Sequence, residues 1–380
     1  METRKLYYED SHLRQFSAQV LTCEETENGW LVTLDATAFY PEGGGEAPDL
    51  GILGGVNVLD VQEKEGKIFH LCDAPLAVGS VVHGEIDWAR RFDLMQQHTG
   101  EHIISGLLHE KFGYMNTGFH VGADVMEVDF DGPVSAADLA EIEAKANEAV
   151  WADIPLECWI PEKEELPQVF YRTKRELPWP VRIVRVPGYD SCACCGVHVK
   201  RTGEVGLIKI LSCVSLRGGV RLELVCGKRA YRHMLTVFEE NRKISQAFSA
   251  PMNATAEAAL KVADALAAEK LRATGLQNRI LEAIAQSYVN QKDVLHFEPD
   301  LDGHALRFLA DKLAAVCEGR VAVFTGDGEQ YNYCLAQRNG DLRELNKALT
   351  EALHGRGGGK PQFQQGSVHA TKEDILAFFA

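Results

Sequence analysis

Two short stretches of the chain hold the residues best suited to bind a metal ion. His98 and His102 are four residues apart, and Cys194 and His198 are also four residues apart. Imidazole nitrogens and a cysteine thiolate are common zinc ligands in proteins. The four side chains therefore predict a zinc site, provided that the fold brings the two stretches together. A histidine pair alone is more often part of a surface or a core, so the prediction depends on both stretches.

The elements that carry these residues differ in their sequence patterns. Apolar residues recur at helical spacing over residues 92–112, which predicts an amphipathic helix there. Positions i and i+4 share one face of a helix, so both imidazoles are expected on the same side. The second stretch, residues 194–198, has Gly196 at its centre and follows Pro187, which favours a loop.

A rival motif overlaps the first stretch. His98, Glu101 and His102 also fit the H-x-x-E-H pattern of inverted zinc peptidases, in which the glutamate is the general base. This interpretation gives Cys194 and His198 no role. Cleavage of casein or a peptide, lost in Glu101→Gln, would be its signature.

The composition is that of an ordinary soluble globular protein. The chain has 380 residues, of which 46% are hydrophobic and 25% charged, and this length predicts two or three domains. The first residues have no apolar run like that of a signal peptide, and no stretch is long enough to span a membrane. We therefore expect a cytoplasmic protein without a membrane partner. In a reducing compartment, clustered cysteines favour metal binding over disulfides.

The charge of the chain is unevenly distributed. A net charge of -16 argues against a nucleic-acid partner, since phosphate binding depends on Lys and Arg. Over residues 172–209, however, basic side chains outnumber acidic ones around the second stretch, as an anionic substrate would require. A solvated surface is the alternative. The basic residues are Arg172, Lys174, Arg175, Arg182, Arg185, Lys200, Arg201 and Lys209, and the acidic ones are Glu176, Asp190 and Glu204.

The sequence patterns predict an α+β multidomain protein. Residues 1–89 contain short alternating runs that predict a small N-terminal β-barrel domain. Residues 90–231 predict an α+β domain that carries the zinc site. Residues 232–290 have the apolar spacing of a long helical or coiled-coil connector, and residues 291–380 predict a C-terminal α/β domain.

Two glycine-rich stretches are candidates for ligand contacts. Gly43, Gly44 and Gly45 interrupt the first domain, and consecutive glycines let backbone amides approach a carbonyl or phosphate oxygen. Residues 355–367 combine glycines with Arg, Lys, Phe and Gln, a mixture suited to lying along a phosphodiester backbone. A loose turn and a flexible surface loop are the respective alternatives. The candidate nucleic-acid contacts are Lys200, Arg201, Arg356, Gly357, Gly358, Gly359 and Lys360.

Taken together, these motifs resemble the editing domain of alanyl-tRNA synthetase and its free-standing relatives, the alanyl-tRNA editing proteins (AlaX family, long form). The resemblance is carried by residues 37–45, the two ligand pairs and residues 202–206. The C-terminal Gly-Gly-Gly-Lys segment is similar to the C-terminal domain of that synthetase. The resemblance covers nearly the whole chain.

The resemblance implies a hydrolase that removes a wrong amino acid, chiefly serine and also glycine, from mischarged tRNA(Ala). It implies one Zn²⁺ per chain, held by the two ligand pairs. It also implies that Thr37 faces the amino-acid pocket, where its hydroxyl would meet that of serine. The connector or the C-terminal domain is the candidate surface for a homodimer. The implied zinc ligands are His98, His102, Cys194 and His198.

The chain departs from the family pattern at two places. Gln usually follows the Gly-Gly-Gly of the family, whereas Glu46 stands here. A carboxylate can take a proton or hold an ammonium group, so Glu46 is a candidate catalytic residue. Cys195 stands where the family more often has Gly, so Cys195 or Cys192 competes as the thiolate ligand, although the spacing favours Cys194.

The hypothesis is that water, activated by the metal or by a nearby carboxylate, attacks the ester carbonyl, with Thr37, Glu46 and His98 as candidate catalytic residues. Amides of residues 43–45 would stabilise the oxyanion. Four protein ligands close a tetrahedral zinc site. Either substrate displaces one ligand, with His198 the first candidate, or the metal shapes the pocket. A non-catalytic tRNA-binding protein is the alternative.

Overall fold

The computed structural model describes residues 2–173 and 177–380. The chain forms two compact units, Met1–Arg242 and Lys243–Ala380. The expectation of a mixed α/β multidomain protein is confirmed, whereas the division into four segments stays a prediction. Lys174, Arg175 and Glu176 of the basic region lie outside the described residues. In the described ranges, no helix is long and apolar enough to cross a membrane.

The first unit begins with a closed barrel of six strands in the order β2-β3-β7-β6-β5-β8. Alternation along the first barrel strand turns Phe16, Ala18 and Val20 inward. A Cβ on Gly84 would lie 2.4 Å from the Phe16 ring, so this glycine makes room for that side chain. The elements of this region are β1 (Arg4–Lys5), α1 (Leu6–Glu9), β2 (Gln15–Thr26), β3 (Gly29–Leu34), β4 (Ala36–Thr37), β5 (Gly51–Leu53), β6 (Val56–Lys64), β7 (Lys67–Cys72) and β8 (Val81–Ile86).

The helix that follows the barrel, α2 (Trp88–Phe112), carries the histidine pair. It begins at Asp87, whose side chain accepts a hydrogen bond from the Arg90 amide at 3.1 Å, and ends at Gly113 in the left-handed region. Every residue over 94–108 is buried, so the helix is central rather than amphipathic. The amphipathic expectation was wrong because other elements cover the polar face as well.

The other elements of the first unit form two sheets around α2. A four-stranded sheet has the order β14-β15-β10-β9, and a three-stranded sheet has the order β11-β12-β13. One hydrophobic core runs from Tyr7 in the barrel region to Cys226 at the end of β15. The elements are β9 (Asn116–Val121), β10 (Met126–Phe130), α3 (Ala136–Trp151), β11 (Glu157–Trp159), β12 (Ile183–Val186), β13 (Asp190–Ala193), β14 (Ile208–Leu216), β15 (Gly219–Cys226) and α4 (Gly227–Phe248).

The second unit is a five-stranded sheet of order β16-β17-β18-β20-β19 with helices on it. Two hydrophobic clusters occur in this unit, and Leu281 and Ala285 at the end of its first helix belong to one of them. The elements are α5 (Thr255–Gln286), β16 (Val294–Phe297), α6 (Gly303–Val316), β17 (Val321–Asp327), β18 (Gln330–Ala336), α7 (Arg343–Ala352), β19 (Arg356–Lys360), β20 (Phe363–His369) and α8 (Lys372–Phe379).

The C-terminal glycine-rich stretch forms a β-hairpin, so the alternative of a flexible loop was wrong. Strand β19 pairs antiparallel with β20 and is the exposed edge of the sheet. A Cβ on Gly357 would lie 2.1 Å from the Tyr333 hydroxyl, and one on Gly359 would lie 2.3 Å from the Phe363 carbonyl. These glycines therefore serve close packing, which the composition alone does not distinguish from flexibility.

A buried ion pair joins α2 to the loop before β5. Arg91 and Asp49 are both fully buried, and Arg91 Nε lies 2.9 Å from Asp49 Oδ1. The same guanidinium donates to the carbonyls of Ser11 at 3.0 Å and Ala38 at 2.5 Å, and the Asp49 carboxylate accepts from the Tyr40 amide at 2.6 Å. The pair therefore ties the N-terminal segment, the Gly-rich loop and the metal-site helix together.

We expect Asp49→Asn to lower the free energy of unfolding of the first unit by about 3–5 kcal/mol, since it leaves Arg91 as a buried charge without a counter-ion. Tryptophan fluorescence recorded during urea unfolding measures the free energy of unfolding of the first unit, because all five tryptophans belong to that unit. Glu9→Ala, which breaks the exposed Arg4–Glu9 pair, is the control and should leave the midpoint nearly unchanged. Equal urea midpoints for Asp49→Asn and Glu9→Ala would contradict a stabilising role of the Arg91–Asp49 ion pair. The tryptophans are Trp30, Trp88, Trp151, Trp159 and Trp179.

Candidate metal centre

Helix α2 and the loop after β13 bring four potential metal ligands together. One ligand atom from each of His98, His102, Cys194 and His198 lies within 4.8 Å of the others. The Cys194 Sγ atom is 3.4 Å from His98 Nε2 and 3.5 Å from His198 Nε2. All three histidines are buried. The two stretches singled out by their spacing thus meet at one point.

A glycine permits this approach of the loop to the helix. A Cβ on Gly196 would lie 2.1 Å from His98 Cε1, so a larger residue would push the loop away from the imidazole. Residues 194–198 have no regular secondary structure, as expected, while Cys192 belongs to strand β13. The loop therefore reaches the helix only because this position lacks a side chain.

Each imidazole of the cluster has a polar atom close to its Nδ1 atom, through a hydrogen bond for His98 and His198 and through an ion-pair contact for His102. His98 Nδ1 is 2.8 Å from Glu46 Oε2, and His102 Nδ1 is 3.0 Å from Asp190 Oδ2. His198 Nδ1 is 3.1 Å from the Thr99 hydroxyl. Such partners fix the orientation of metal-binding histidines and leave Nε2 for the ion. The donor set and these partners fit zinc.

The electrostatics of the cluster favour a thiolate. Burial by itself would raise the pKa of the Cys194 thiol, but His98 and His102 outweigh this effect and hold that pKa well below its usual range. Burial would likewise lower the pKa of His98, but Cys194 and Glu46 raise it to about 10. A thiolate is the form of cysteine that binds a metal, and ligation by His98 then releases its proton.

Glu46, a candidate catalytic residue, contacts the Nδ1 atom of His98, whereas the other ligands of the cluster lie on the Nε2 side of that ring. Its side chain is 1% exposed, and the same Oε2 atom that contacts His98 lies 3.4 Å from the Val197 amide. Burial raises the pKa of this carboxyl. The geometry makes Glu46 a positioning residue for the His98 ring and for the loop.

Thr37 lies elsewhere in the unit, fully buried between barrel residues. Its hydroxyl is 2.9 Å from His70 Nε2 and accepts from the Phe39 amide at 3.1 Å. Burial lowers the pKa of His70 to about 4, and its Nδ1 lies 3.1 Å from the Val32 carbonyl. Neutral His70 thus donates a hydrogen bond from Nδ1 to the Val32 carbonyl and accepts one at Nε2 from the Thr37 hydroxyl. A contact between Thr37 and a substrate stays a prediction.

The Gly-rich loop is a tight turn packed against β9. The Gly43 amide donates to the Glu46 carbonyl at 3.1 Å, so this amide is already used within the turn. The Gly45 carbonyl accepts from the Val121 amide at 3.2 Å, and a Cβ on Gly45 would lie 2.5 Å from the Phe119 carbonyl. Gly44 remains at the wall of the cavity beside the cluster, which makes it the best placed of the three for a ligand.

A cavity of about 400 Å³ adjoins the ligand cluster. Its wall includes residues that the motif analysis did not single out as site residues. Arg172 is held by Asp190 through contacts of 2.7 and 2.9 Å, and Asn116 donates to Glu101 at 2.5 Å. Asn116 lies on strand β9 and Arg172 in an isolated bridge to Cys192, so no local pattern could have identified them. The wall also contains Phe119 and Leu177.

The remaining candidate residues are not members of the four-ligand group. Cys192 forms a second group with His102 and Asp190, and Cys195 is exposed. Lys200 pairs with Asp10 at 2.7 Å, and Arg201 pairs with Asp153 at 2.7 Å. The other predicted nucleic-acid contacts, residues 356–360, form strand β19 of the second unit.

We expect the purified protein to contain one zinc ion per chain, and Cys194→Ala and His102→Ala to lose it. Cys195→Ala is the matched control and should retain the metal, since that side chain lies outside the cluster. Asp190→Asn should weaken zinc affinity by about 10–100-fold, because it removes the partner of the His102 ring. Titration with a chromogenic chelator measures the zinc content of the wild-type protein and of all four variants. Loss of zinc from Cys195→Ala with retention in Cys194→Ala would refute the assignment.

Comparison with known proteins shows what the chain is similar to. Residues 181–222 match the threonyl and alanyl tRNA synthetase second additional domain, and residues 2–90 match the class II (A) tRNA synthetases. The chain is 28% identical to alanyl-tRNA editing protein AlaX-L of Pyrococcus horikoshii, over 98% of this chain and 96% of that protein. It is 26% identical to alanyl-tRNA editing protein Aarsd1 of Danio rerio, over 95% and 93%.

Relatives of greater length match as well. The alanine–tRNA ligase of Thermofilum pendens is 30% identical over 97% of this chain, which spans only 43% of that enzyme. The chain thus corresponds to less than half of the ligase but to nearly all of the editing proteins. Over nearly its whole length the chain is therefore similar to the alanyl-tRNA editing proteins AlaX-L and Aarsd1.

Proposed function

We propose that the protein hydrolyses the ester bond between a wrong amino acid, serine or glycine, and tRNA(Ala). The observation that carries this proposal is the buried cluster of three histidines and a cysteine at the wall of a cavity. Relatives that match over nearly their whole length are named alanyl-tRNA editing proteins. A cavity of this size suits the aminoacyl end of a tRNA.

The metal in this proposal is Zn²⁺, one per chain, held by His98, His102, Cys194 and His198. When bound, it supplies a Lewis acid that polarises a carbonyl or activates water. Glu46, Asp190 and Thr99 hold the three imidazoles with Nε2 directed to the cluster. The chain thereby keeps its ligands in one orientation before substrate arrives.

The arrangement favours ester hydrolysis over peptidase activity. In the H-x-x-E-H interpretation Cys194 and His198 have no role, yet both lie within the ligand group. The Glu101 carboxylate accepts hydrogen bonds from Ser105 and Asn116. A four-ligand zinc site explains the positions of Cys194 and His198, and Glu101 is then a neighbouring carboxylate in the cavity wall.

We expect purified protein to deacylate seryl- or glycyl-tRNA(Ala) and to spare alanyl-tRNA(Ala). His102→Ala should be inactive, because it removes a metal ligand, while His83→Ala, which removes an exposed histidine of the barrel, should be fully active. Release of labelled amino acid over time measures the rate. A zinc-loaded protein that binds tRNA but releases none of the three amino acids would instead support the non-catalytic alternative.

The tRNA backbone would contact a basic cleft of the first unit. A cleft of about 710 Å³ is lined by Arg90, Lys228 and Arg232 among other residues. Lys228 and Arg232 are exposed, and no ion pair is found for either within residues 2–173 and 177–380. Lys200 and Arg201, by contrast, are already paired with carboxylates. Phosphates are bound best by cations that have no competing partner.

Other parts of the proposal concern the second unit and the assembly. Arg356 and Lys360 lie at the exposed edge of the sheet, where they could reach a nucleic-acid backbone. Helix α5 exposes Leu260, Leu266 and Leu271, which is consistent with a homodimer through the helical segment. We place the protein in the cytoplasm, where its proposed substrate is made.

We expect Lys228→Ala/Arg232→Ala to weaken tRNA binding and to reduce the slope of log K against log salt by about 1.4–1.8, the contribution of two phosphate contacts. Lys200→Ala/Arg201→Ala makes the same change of charge and should alter the slope less, since those cations are paired. Filter binding at several salt concentrations measures both. A larger effect of the second double variant would assign the backbone contact to Lys200 and Arg201.

A further inference from the structure

Three consecutive carbonyl groups of the loop 194–198 accept hydrogen bonds from side chains outside the loop. Arg182 Nη1 donates to the Cys194 carbonyl and to the Gly196 carbonyl, each at 2.9 Å. The Tyr8 hydroxyl donates to the carbonyl between them, that of Cys195, at 2.8 Å. Two side chains therefore satisfy every carbonyl of the loop from Cys194 to Gly196.

Tyr8 and Arg182 also contact each other. The guanidinium carbon of Arg182 lies 4.6 Å from the centroid of the Tyr8 ring, which is a cation–π contact. Arg182 is only 9% exposed, and its main-chain carbonyl accepts from the Cys194 amide at 3.1 Å. Tyr8 belongs to α1, whereas Arg182 directly precedes β12. The loop is thus held by two side chains that are packed together although they are distant in sequence.

The peptide that joins Cys195 to Gly196 connects Tyr8 with the thiol ligand. Its carbonyl accepts from the Tyr8 hydroxyl, and its amide donates to Cys194 Sγ at 3.4 Å. A trans peptide is planar, and its C=O and N–H groups point to opposite sides. A donor that fixes the carbonyl therefore also directs the amide to the sulfur, and it polarises the peptide so that the amide becomes a better donor.

The next peptide, from Gly196 to Val197, connects Arg182 with an imidazole ligand. Its carbonyl accepts from Arg182, and its amide donates to Glu46 Oε2 at 3.4 Å. The same Oε2 atom lies 2.8 Å from His98 Nδ1. Arg182 is thereby linked, through one planar peptide, to the carboxylate that orients the His98 ring.

Tyr8 and Arg182 are placed to act on the loop and not on a bound substrate. Cys194, Cys195 and Gly196 line the cavity beside the cluster, whereas neither Tyr8 nor Arg182 is among the lining residues in the part of the chain that the structure describes. Any effect of the two side chains on the site therefore passes through the loop peptides.

We propose that Tyr8 and Arg182 are positioning residues of the metal site. They hold two loop peptides in the orientation in which the amides donate to Cys194 Sγ and to Glu46, the partner of His98. Hydrogen bonds to metal ligands and to their partners set the affinity and the geometry of a metal site. The inference rests on the proposed function, since it concerns the zinc site used there.

Three variants test this inference. Tyr8→Phe keeps the ring beside the guanidinium and removes only the donor to the Cys195 carbonyl. Arg182→Met removes both donors of the Arg182 side chain and its charge. Arg182→Lys keeps a charged donor and should recover part of the metal affinity that Arg182→Met loses. Because Tyr8→Phe removes a single oxygen atom, it tests the inference even where Arg182→Met does not fold.

Two matched controls make the same chemical changes elsewhere in the first unit. Tyr114→Phe removes a hydroxyl that donates to the Pro133 carbonyl at 3.1 Å. Arg14→Met removes a guanidinium whose carbon lies 4.2 Å from the centroid of the Trp88 ring. Both controls should bind metal as the wild-type protein does.

The measurement is titration of the metal-free full chain with Co²⁺, which takes the ligands of Zn²⁺ and absorbs visible light, followed by competition with Zn²⁺. We expect Arg182→Met to weaken Zn²⁺ affinity by about 10–100-fold. Tyr8→Phe should weaken it by about twofold to tenfold, the effect of one hydrogen bond. The Co²⁺ absorption bands should shift in both variants, because the surroundings of the sulfur ligand change.

Thermal melting separates this role from a contribution to folding alone. If Arg182→Met and Tyr8→Phe melt at a lower temperature but keep the wild-type Co²⁺ spectrum and Zn²⁺ affinity, the two residues only stabilise the fold and the inference is wrong. A wild-type protein that binds neither metal would overturn the zinc site and the inference with it. If the wild-type protein binds metal but deacylates no tRNA, weaker binding in the two variants would support the inference, and the proposed function alone would be overturned.

Discussion

Helix α2 is surrounded on all sides, and the need to satisfy its polar side chains organises the first unit. A buried polar group without a partner costs free energy, so each such residue must find one in a neighbouring element. Gln97 donates to the Cys226 carbonyl at 3.1 Å and accepts from the Cys226 amide at 2.8 Å, which fixes the end of β15. Gln96 donates to the Glu204 carbonyl at 2.8 Å. The helix is thus joined to its surroundings by directional contacts as well as by its core.

The metal cluster is one part of this network. The partners of its imidazoles come from the Gly-rich loop, from β13 and from α2 itself, so the orientation of the ligands depends on three separate segments. Glycines make the close approach possible. A Cβ on Gly100 would lie 2.2 Å from Cys226 Sγ, and one on Gly106 would lie 2.2 Å from the Tyr189 carbonyl. The ligands are therefore pre-organised by packing, before any ion binds.

The distribution of charge gives the cavity its chemical character. Two of the carboxylates near the cluster, Glu46 and Asp190, contact histidines, and the third, Glu101, lies in the wall of the cavity. The Thr37 hydroxyl, in contrast, is bonded to His70.

The sequence by itself determined the ligand types, the strand-rich beginning, the histidine helix and the resemblance to the editing proteins. Spacing four apart places His98 and His102 on one helix face whatever surrounds the helix. Glu46 was identified as a special residue, but its position behind His98 depends on how the loop packs. Asp190, Asn116 and the pairing of Glu101 depend on contacts between strands and a helix distant in sequence. Only the tertiary structure decided these, because hydrogen bonds and burial between remote segments leave no periodic signal in the chain.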